Sequence, residues 1–114
     1  MFGSNAADKL FGEQGADRLD GGEGDDLLSG AEGDDLLTGG TGADTFIFAK
    51  SGGADAIADF NVLEDQLLLG EGLSVKSHSI VDANGDGVAD LSIGLSSGSV
   101  ILLGVSSFAD VHFG

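Results

Sequence analysis

The sequence predicts an all-β protein, in which a parallel β-roll is followed by a β-rich cap. The chain has 114 residues, of which 21 are glycine and none is proline or cysteine. Its first half repeats every nine residues, and each repeat ends on the short alternation of apolar and polar residues that is typical of a strand. Its second half keeps the alternation between turn sequences but loses the period. We therefore expect a single module, 1–114, with the roll in 3–47 and the cap in 48–114.

Five consecutive nonapeptides make up the predicted roll, and they read GSNAADKLF, GEQGADRLD, GGEGDDLLS, GAEGDDLLT and GGTGADTFI. The first position is glycine in every repeat, and the eighth position is always a large apolar residue. The sixth position is always aspartate, which gives Asp8, Asp17, Asp26, Asp35 and Asp44. Glycine permits the backbone angles of a tight loop, and the apolar residue is the side chain that a short strand can bury. Two repeats complete one coil, so odd and even repeats should stack as two columns of loops.

The stacking brings aspartates of alternate repeats into ladders whose rungs are about 4.8 Å apart. Two carboxylates about 5 Å apart repel by roughly 3 kcal/mol at an effective dielectric constant of about 20. Burying one leucine per repeat returns only about 1.5–3 kcal/mol. A divalent cation between the rungs would reverse the repulsion, and calcium accepts the carboxylate and carbonyl oxygens that such loops offer. The pattern predicts calcium sites between repeats one and three, two and four, and three and five.

Composition excludes several other classes of function. The chain has 20 acidic and four basic residues, for a formal net charge of -16, which excludes a nucleic-acid backbone as partner and argues against anionic membranes. Its apolar runs are too short for membrane insertion, and no cleavable signal peptide is visible at its start. His78 and His112 have no fixed spacing to a carboxylate cluster, and no nucleophile or phosphate-loop motif is present. We therefore do not expect an enzyme.

The nonapeptides resemble the RTX (repeats-in-toxin) motif GGxGxDxUx. This resemblance implies a parallel β-roll that binds calcium, export by the type I secretion machinery, and folding outside the cell. It also implies that carbonyls at positions one and three of one loop, and two and four of the next, join the two aspartates. Site one–three would then use Gly3, Asn5, Asp8, Gly22, Gly24 and Asp26. Site two–four would use Gly12, Gln14, Asp17, Ala31, Gly33 and Asp35. Site three–five would use Gly21, Glu23, Asp26, Gly40, Gly42 and Asp44.

The resemblance favours a calcium-dependent folding module at the C-terminus of a secreted bacterial protein. The GADTF sequence at 42–46, followed by the D-x-I-x-D-F run at 55–60, is similar to the segment that closes the rolls of secreted RTX proteases and alginate epimerases. The repeat modules of the epimerases suggest an alternative function, binding of an acidic, alginate-like polysaccharide. A glycan site normally presents aromatic or basic side chains, and this chain has no Trp or Tyr.

Two further groups of residues are candidate calcium ligands outside the repeats. Asp55 or Asp59 would complete a fourth site above Asp35, or both are ordinary surface acids. A loop in the second half offers oxygen ligands from Asp82, Asn84, Asp86, Val88 and Asp90. The same loop contains Asn-Gly and Asp-Gly pairs, which are strong signals of a hairpin turn. Calcium ligation and a simple turn both remain open.

Overall fold

The computed structural model describes residues 8–12, 15, 17–29, 33–48, 53–61, 63–70, 74–81, 90–96, 98–105 and 111. These residues form strands, turns and bends, and no helix is found among them. The strands in chain order are β1 (Lys9–Phe11), β2 (Arg18–Asp20), β3 (Leu27–Ser29), β4 (Leu36–Thr38), β5 (Thr45–Phe48), β6 (Ala54–Ile57), β7 (Gln66–Leu69), β8 (Val75–Val81), β9 (Asp90–Leu95) and β10 (Ser99–Leu102).

Alternate strands belong to different sheets. Strands β1, β3, β5 and β7 form a four-stranded parallel sheet, and β2, β4 and β6 pair in parallel within a six-stranded sheet. Leu10 lies beside Leu28, and Leu28 lies beside Phe46, so the register within the repeats is one coil of two nonapeptides. The predicted parallel β-roll, with odd and even repeats in separate columns, is confirmed.

The parallel stacking continues past residue 47, where the sequence predicts the start of the cap. Strand β6 lies beside β4 with Leu37 opposite Ile57, and β7 lies beside β5 with Phe46 opposite Leu67. Both strands keep the Asp-x-apolar triplet of the repeats, as DAI at 55–57 and DQL at 65–67. The segment after the repeats therefore adds one rung to each column.

An antiparallel meander completes the six-stranded sheet, whose order is β2-β4-β6-β10-β9-β8. Strand β9 pairs antiparallel with both β8 and β10, and the alternation of Leu91, Ile93 and Leu95 along it is typical of such a strand. Strand β10 also pairs in parallel with β6. This last contact joins the meander to the even column of the roll.

The core is one cluster of apolar side chains from both sheets. The middle residue of each three-residue strand is buried, which gives Leu10, Leu19, Leu28 and Leu37. Phe46 is completely buried and packs on Phe60, with ring centroids 6.0 Å apart. The apolar eighth position of the repeat is thus the core position. Among the described residues there is no helix long and apolar enough to cross a membrane.

Candidate metal centre

Loops of the same column stack in direct contact, with glycine above glycine. A Cβ added to Gly40 would overlap the carbonyl oxygen of Gly22, and one added to Gly42 would fall 2.5 Å from the carbonyl oxygen of Gly24. Gly40 and Gly42 have positive φ angles of 84° and 97°, which a residue with a Cβ disfavours. Glycine is needed here both for the backbone angle and for the contact with the rung below.

Hydrogen bonds from backbone amides to carboxylates link the sixth-position aspartates along each column. In the odd column the amide of Asp8 donates to Asp26 Oδ1 at 2.8 Å, and the amide of Asp26 donates to Asp44 Oδ1 at 2.9 Å. In the even column the amide of Asp17 donates to Asp35 Oδ1 at 2.9 Å. Each of these carboxylates therefore reaches toward the loop one coil earlier.

The second oxygen of three of these carboxylates is buried without a partner. Asp26 Oδ2, Asp35 Oδ2 and Asp44 Oδ2 make no hydrogen bond within the described part of the chain. A buried polar atom in this state costs about 1–3 kcal/mol, and more when it is charged. A Cβ on Gly21 would fall 2.5 Å from Asp26 Oδ2 and 2.7 Å from the carbonyl oxygen of Gly39. A carboxylate of one rung and a carbonyl of the next therefore border the same space, which only glycine leaves open.

Burial raises the pKa of four carboxyl groups, two in each column. Burial is the largest cause that raises the pKa of Asp44 to about 7; a hydrogen bond from Asp26 opposes it, and repulsion from the carboxylate of Asp65 adds to it. The pKa of Asp55 is also raised to about 7, first by burial. Burial raises the pKa of Asp35 and Asp65 as well. At neutral pH these groups are costly to ionise unless positive charge reaches the rungs.

One predicted site lies entirely among the described residues. The stacked loops of repeats three and five carry all six of its predicted ligands, Gly21, Glu23, Asp26, Gly40, Gly42 and Asp44. The carbonyl of Gly39, which borders Asp26 Oδ2, was not among the predicted ligands. Residue types do not show which way a loop carbonyl points, so the sequence alone could not identify it.

The other two predicted sites are described in part. The described ligands of site one–three are Asp8, Gly22, Gly24 and Asp26, and those of site two–four are Gly12, Asp17, Gly33 and Asp35. The remaining predicted ligands, Gly3, Asn5, Gln14 and Ala31, lie outside the described residues. The glycine contact recurs in the even column, where a Cβ on Gly33 would overlap the carbonyl oxygen of Gly15.

Two aspartates beyond the repeats extend the ladders. The amide of Asp35 donates to Asp55 Oδ1 at 2.9 Å, and the amide of Asp44 donates to Asp65 Oδ1 at 2.8 Å. Asp55 thus lies above Asp35, where the sequence analysis expects a fourth site. Its role as a calcium ligand stays a prediction. Asp65 was not predicted, because it follows Asp44 by 21 residues instead of the 18 that separate rungs within the repeats. Its only signal in the sequence is the DQL triplet at 65–67.

Asp59 occupies a different place from the one considered for it. Its Oδ1 accepts a hydrogen bond from the amide of Gly39 at 2.8 Å, and its Oδ2 accepts one from the amide of Gly40 at 2.7 Å. Asp59 therefore lies against the fifth loop, in the odd column, and not above Asp35 in the even column. The chain crosses from one column to the other after β6, which explains the difference.

The candidate loop between β8 and β9 is described only at its end. Four of its predicted ligands, Asp82, Asn84, Asp86 and Val88, lie outside the described residues. Asp90 is 1% exposed, and its Oδ1 accepts a hydrogen bond from the amide of Gly104 at 2.7 Å. This bond joins the start of β9 to the turn after β10. Calcium ligation and a hairpin turn both stay predictions for this loop.

The donor atoms of the columns suit calcium. Within the described ranges, no three His, Cys, Asp or Glu side chains form a group that could hold a metal ion by themselves. Successive rungs instead offer pairs of carboxylates together with backbone carbonyls. Calcium binds about six to eight such oxygens in flexible geometry, whereas zinc prefers His and Cys. The unpartnered oxygens and the glycine-lined spaces therefore fit calcium best.

Known proteins show the same combination of repeat and fold. The family model described as the RTX calcium-binding nonapeptide repeat matches in four copies, over residues 2–37 and 20–48. The structure is similar to that of the extracellular lipase LipA from Serratia marcescens, with 27% identity and a TM-score of 0.53. That match covers 98% of this chain but only 20% of the lipase chain.

A second solved structure matches over more of its own length. The AlgE6R3 subunit of the mannuronan C5-epimerase from Azotobacter vinelandii is 30% identical, with a TM-score of 0.51. The match covers 88% of this chain and 72% of that subunit. A comparison with curated protein sequences finds no match. Together with the stacked loops of nine-residue repeats, these similarities show that the chain belongs to the RTX family of calcium-binding nonapeptide-repeat proteins.

Proposed function

We propose that this chain is a calcium-dependent folding module of a secreted bacterial protein, with residues 1–114 acting as one unit. The observation that supports this proposal most directly is the set of buried, unpartnered oxygens on Asp26, Asp35 and Asp44. Burial and repulsion raise the pKa of Asp35 and Asp44, so the roll is costly to form at neutral pH without added positive charge. The chain has few basic residues to supply that charge.

The residues that would hold calcium are aspartates of adjacent rungs and the loop carbonyls between them. For site three–five these are Asp26, Asp44 and carbonyls from Gly21, Glu23, Gly40 and Gly42. The position of the Gly39 carbonyl beside the space that Asp26 Oδ2 borders supports including it as a further ligand. When bound, calcium supplies positive charge and shared coordination to two loops at once. The chain contributes the stacked glycines, which let successive loops approach, and the row of apolar side chains that fixes the register.

Secretion explains why a fold should depend on calcium. Extracellular calcium modules bind with dissociation constants of about 10⁻⁴–10⁻³ M, so sites of this kind are empty in the cytosol and filled outside the cell. The module would leave through the type I secretion machinery as an unfolded chain and fold once outside. It would act as a folding unit without a catalytic role, and any activity of the parent protein would belong to other segments. The 20% coverage of the lipase agrees with a module within a longer chain.

Circular dichroism in chelator and in calcium tests this proposal. We expect the β signal to rise with calcium, with a midpoint at about 10⁻⁴–10⁻³ M, and to fall again when chelator is added. Magnesium at the same concentration is the matched control, because it demands stricter octahedral geometry and should not replace calcium. An identical β signal in chelator and in millimolar calcium would refute calcium-dependent folding.

A second candidate function is binding of an acidic polysaccharide. The observation that favours it is the 30% identity to a subunit of a mannuronan C5-epimerase, an enzyme whose name gives mannuronan as its substrate. The described basic side chains Lys9, Arg18 and Lys76 are exposed and could pair with uronate carboxylates. The net charge of -16 opposes this binding.

Titration of oligomannuronate into the calcium-loaded protein separates the two functions. A module that only folds should show no change in its amide NMR spectrum. A polysaccharide site should show shifts that saturate and that cluster around one or more of the basic side chains.

A further inference from the structure

Asp59 holds two consecutive backbone amides of the fifth loop. Its Oδ1 accepts a hydrogen bond from the amide of Gly39 at 2.8 Å, and its Oδ2 accepts one from the amide of Gly40 at 2.7 Å. Hydrogen bonds to an ionised acceptor are about twice as strong as those between neutral groups. The two bonds together therefore fix both the position and the direction of these amides.

The carboxylate of Asp59 takes the place of a backbone acceptor that the repeats provide. One coil earlier, the amide of Gly21 donates to the carbonyl of Thr38 at 2.8 Å. Gly39 begins its repeat as Gly21 does, but its amide donates to a side chain. The chain bends at residues 58 and 59, directly after β6, and the side chain of Asp59 supplies the acceptor at that bend.

The direction of the Gly40 amide also sets the direction of the Gly39 carbonyl. Both belong to one peptide unit, and the C=O and N–H of a planar trans peptide point in opposite directions. The N–H of this unit points to Asp59, in the segment one coil later. Its carbonyl oxygen faces the loop one coil earlier, where a Cβ on Gly21 would lie 2.7 Å from it. The same Cβ would lie 2.5 Å from Asp26 Oδ2, which is buried without a hydrogen-bond partner among the described residues.

We propose that Asp59 is a positioning residue for calcium site three–five, which turns the Gly39 carbonyl toward the ion without binding the ion itself. This proposal rests on the proposed function, because it requires calcium in that site. Both oxygens of Asp59 bond to amides on the side of the fifth loop that faces later coils. The site lies on the other side of that loop, between the loops of repeats three and five. The loop therefore separates the carboxylate from the ion.

A carboxylate suits this position although it adds repulsion. Burial is the largest cause that raises the pKa of Asp44 and of Asp65, and repulsion from the carboxylate of Asp59 adds to it in both. An asparagine would avoid that repulsion, but its amide group has one acceptor oxygen and would present a donor to the second backbone amide. Only a carboxylate of this length offers one oxygen to each of the two amides.

A crystal structure of the calcium-saturated wild-type chain tests the geometry. We expect an ion about 2.3–2.6 Å from the Gly39 carbonyl oxygen, with both oxygens of Asp59 still on the amides of Gly39 and Gly40. An ion bound directly by Asp59, or an ion in site three–five without the Gly39 carbonyl, would overturn this proposal and leave the proposed function intact. The absence of an ion between the third and fifth loops would overturn both.

Asp59→Asn tests the effect on calcium binding, with Glu64→Gln as the matched control. Both variants remove one negative charge from the same segment, but Glu64 is exposed and its side chain accepts a hydrogen bond from Asn61 Nδ2 at 3.5 Å. Loss of a residue that orients a metal ligand lowers the affinity of that site by about 10–100-fold. If the three predicted sites fill in one folding transition, the calcium midpoint rises by about the cube root of that factor, roughly two- to fivefold. Circular dichroism should show this rise for Asp59→Asn and no rise for Glu64→Gln, and equal midpoints would overturn the proposal.

Europium(III) luminescence distinguishes the positioning of a ligand from a purely structural hydrogen bond. Europium is a hard cation that takes oxygen ligands as calcium does, and its luminescence lifetimes in H₂O and D₂O count the waters bound to the ion. Loss of the Gly39 carbonyl should admit about one more water per chain in Asp59→Asn than in the wild type or in Glu64→Gln. A purely structural bond would change stability and leave the water count as it is. An unchanged count in folded Asp59→Asn would therefore overturn the proposal.

Discussion

The roll and the antiparallel meander are stabilised in different ways. In β1–β4 each strand buries one apolar side chain at its centre. The loops of the roll hold buried carboxylates whose second oxygens have no hydrogen-bond partner among the described residues. In β9 and β10 four apolar side chains are completely buried, namely Leu91, Ile93, Val100 and Leu102. The buried carboxylate of Asp90, in the same region, accepts a hydrogen bond from the amide of Gly104, and neither of its oxygens is among the buried atoms without a partner. Dependence on calcium should therefore be concentrated in the loops of the roll.

The two regions meet where β10 pairs with β6. Val100 lies beside Asp55 and Leu102 lies beside Ile57 in this parallel pair. The meander thus provides a strand, β10, that pairs with β6, the last strand of the even column. The odd column ends at β7, which has no such neighbour within the described residues.

Removal of calcium should have the largest effect on stability, and it should destabilise the roll more than the meander. The amides of Leu27, Leu36 and Thr45 donate to carbonyls one coil away, so they report on the stacking of the roll. The amide of Leu95 donates to Gly98 within the hairpin. As calcium is removed, we expect hydrogen exchange at the three roll amides to approach unfolded rates first, and Leu95 to lose its protection only at a lower calcium concentration. Equal loss of protection in both regions at one calcium concentration would contradict the comparison.

Aspartates that border two rungs should contribute more to calcium binding than aspartates at the end of a column. Asp26 accepts from the amide of Asp8 and donates through its own amide to Asp44, whereas Asp17 begins the described part of its column. Asp26→Ala removes a charged ligand from two predicted calcium sites and Asp17→Ala removes one from a single site, so the loss of calcium-binding free energy should be about twice as large for Asp26→Ala. Calcium titrations followed by circular dichroism measure the difference as a shift in midpoint.

The exposed neighbour Asp25 provides the control for charge alone. Asp25→Asn removes one negative charge from the same loop, keeps a side-chain oxygen that can accept the hydrogen bond from the amide of Ala43, and leaves the ladder of buried carboxylates in place. Its calcium midpoint should stay close to that of the wild type. Equal midpoints for the Asp26 and Asp17 variants would show that the pairing of rungs does not govern calcium binding.

Glycine contacts between rungs should contribute a smaller but specific effect. Gly40→Ala places a Cβ against the carbonyl oxygen of Gly22 and also strains a positive φ, whereas Gly104→Ala strains a similar φ of 78° in open space. The strain costs about 1–2 kcal/mol in each case, and the overlap adds about 1–3 kcal/mol in the roll only. Urea unfolding in saturating calcium measures both values. Equal destabilisation would mean that the stacked loops can separate without cost.

Acid should partly replace calcium in the metal-free roll. The ordinary aspartate pKa is 3.8, and the pKa values of Asp44 and Asp55 in the folded roll are raised to about 7. The folded state therefore binds more protons than the unfolded state between about pH 4 and 7, so its stability falls as pH rises through that window. In chelator the β signal in circular dichroism should therefore be larger at pH 5 than at pH 8.

The calcium-loaded protein should show the opposite trend in affinity. Calcium binds ionised carboxylates, so its affinity should decline as the pH falls below about 7. Asp44→Asn removes one of the titrating groups and should flatten both pH profiles. A metal-free roll that gains stability from pH 5 to pH 8 would contradict the raised pKa values.

The sequence predicts the five-repeat roll well because a fixed period specifies the register. Once Asp8 and Asp26 are known to be one coil apart, the positions of Asp17, Asp35 and Asp44 follow. The period does not predict Asp65, because the loop before it is longer than the loops of the repeats. The Asp-x-apolar triplet that remains also occurs at 25–27 and 86–88, so it does not identify a rung by itself.

The meander shows a similar limit. Alternating Leu91, Ile93 and Leu95 indicate a two-sided strand, and a turn at Gly98 indicates its hairpin partner. The parallel pairing of β10 with β6 leaves no local sign, because it depends on which sheet edge is still open after the roll has closed. The sequence does not indicate the carbonyl of Gly39 as a candidate ligand either, since residue types do not show which way the backbone points within a loop.

Crystallography of the calcium-saturated chain, with the ions located by anomalous scattering, tests the central claim most directly. The account predicts an ion about 2.3–2.6 Å from each of Asp26 Oδ2, Asp35 Oδ2 and Asp44 Oδ2, between successive rungs of the columns. A calcium-saturated crystal in which these oxygens bind only protein donors or water, with no ion between the loops, would contradict it.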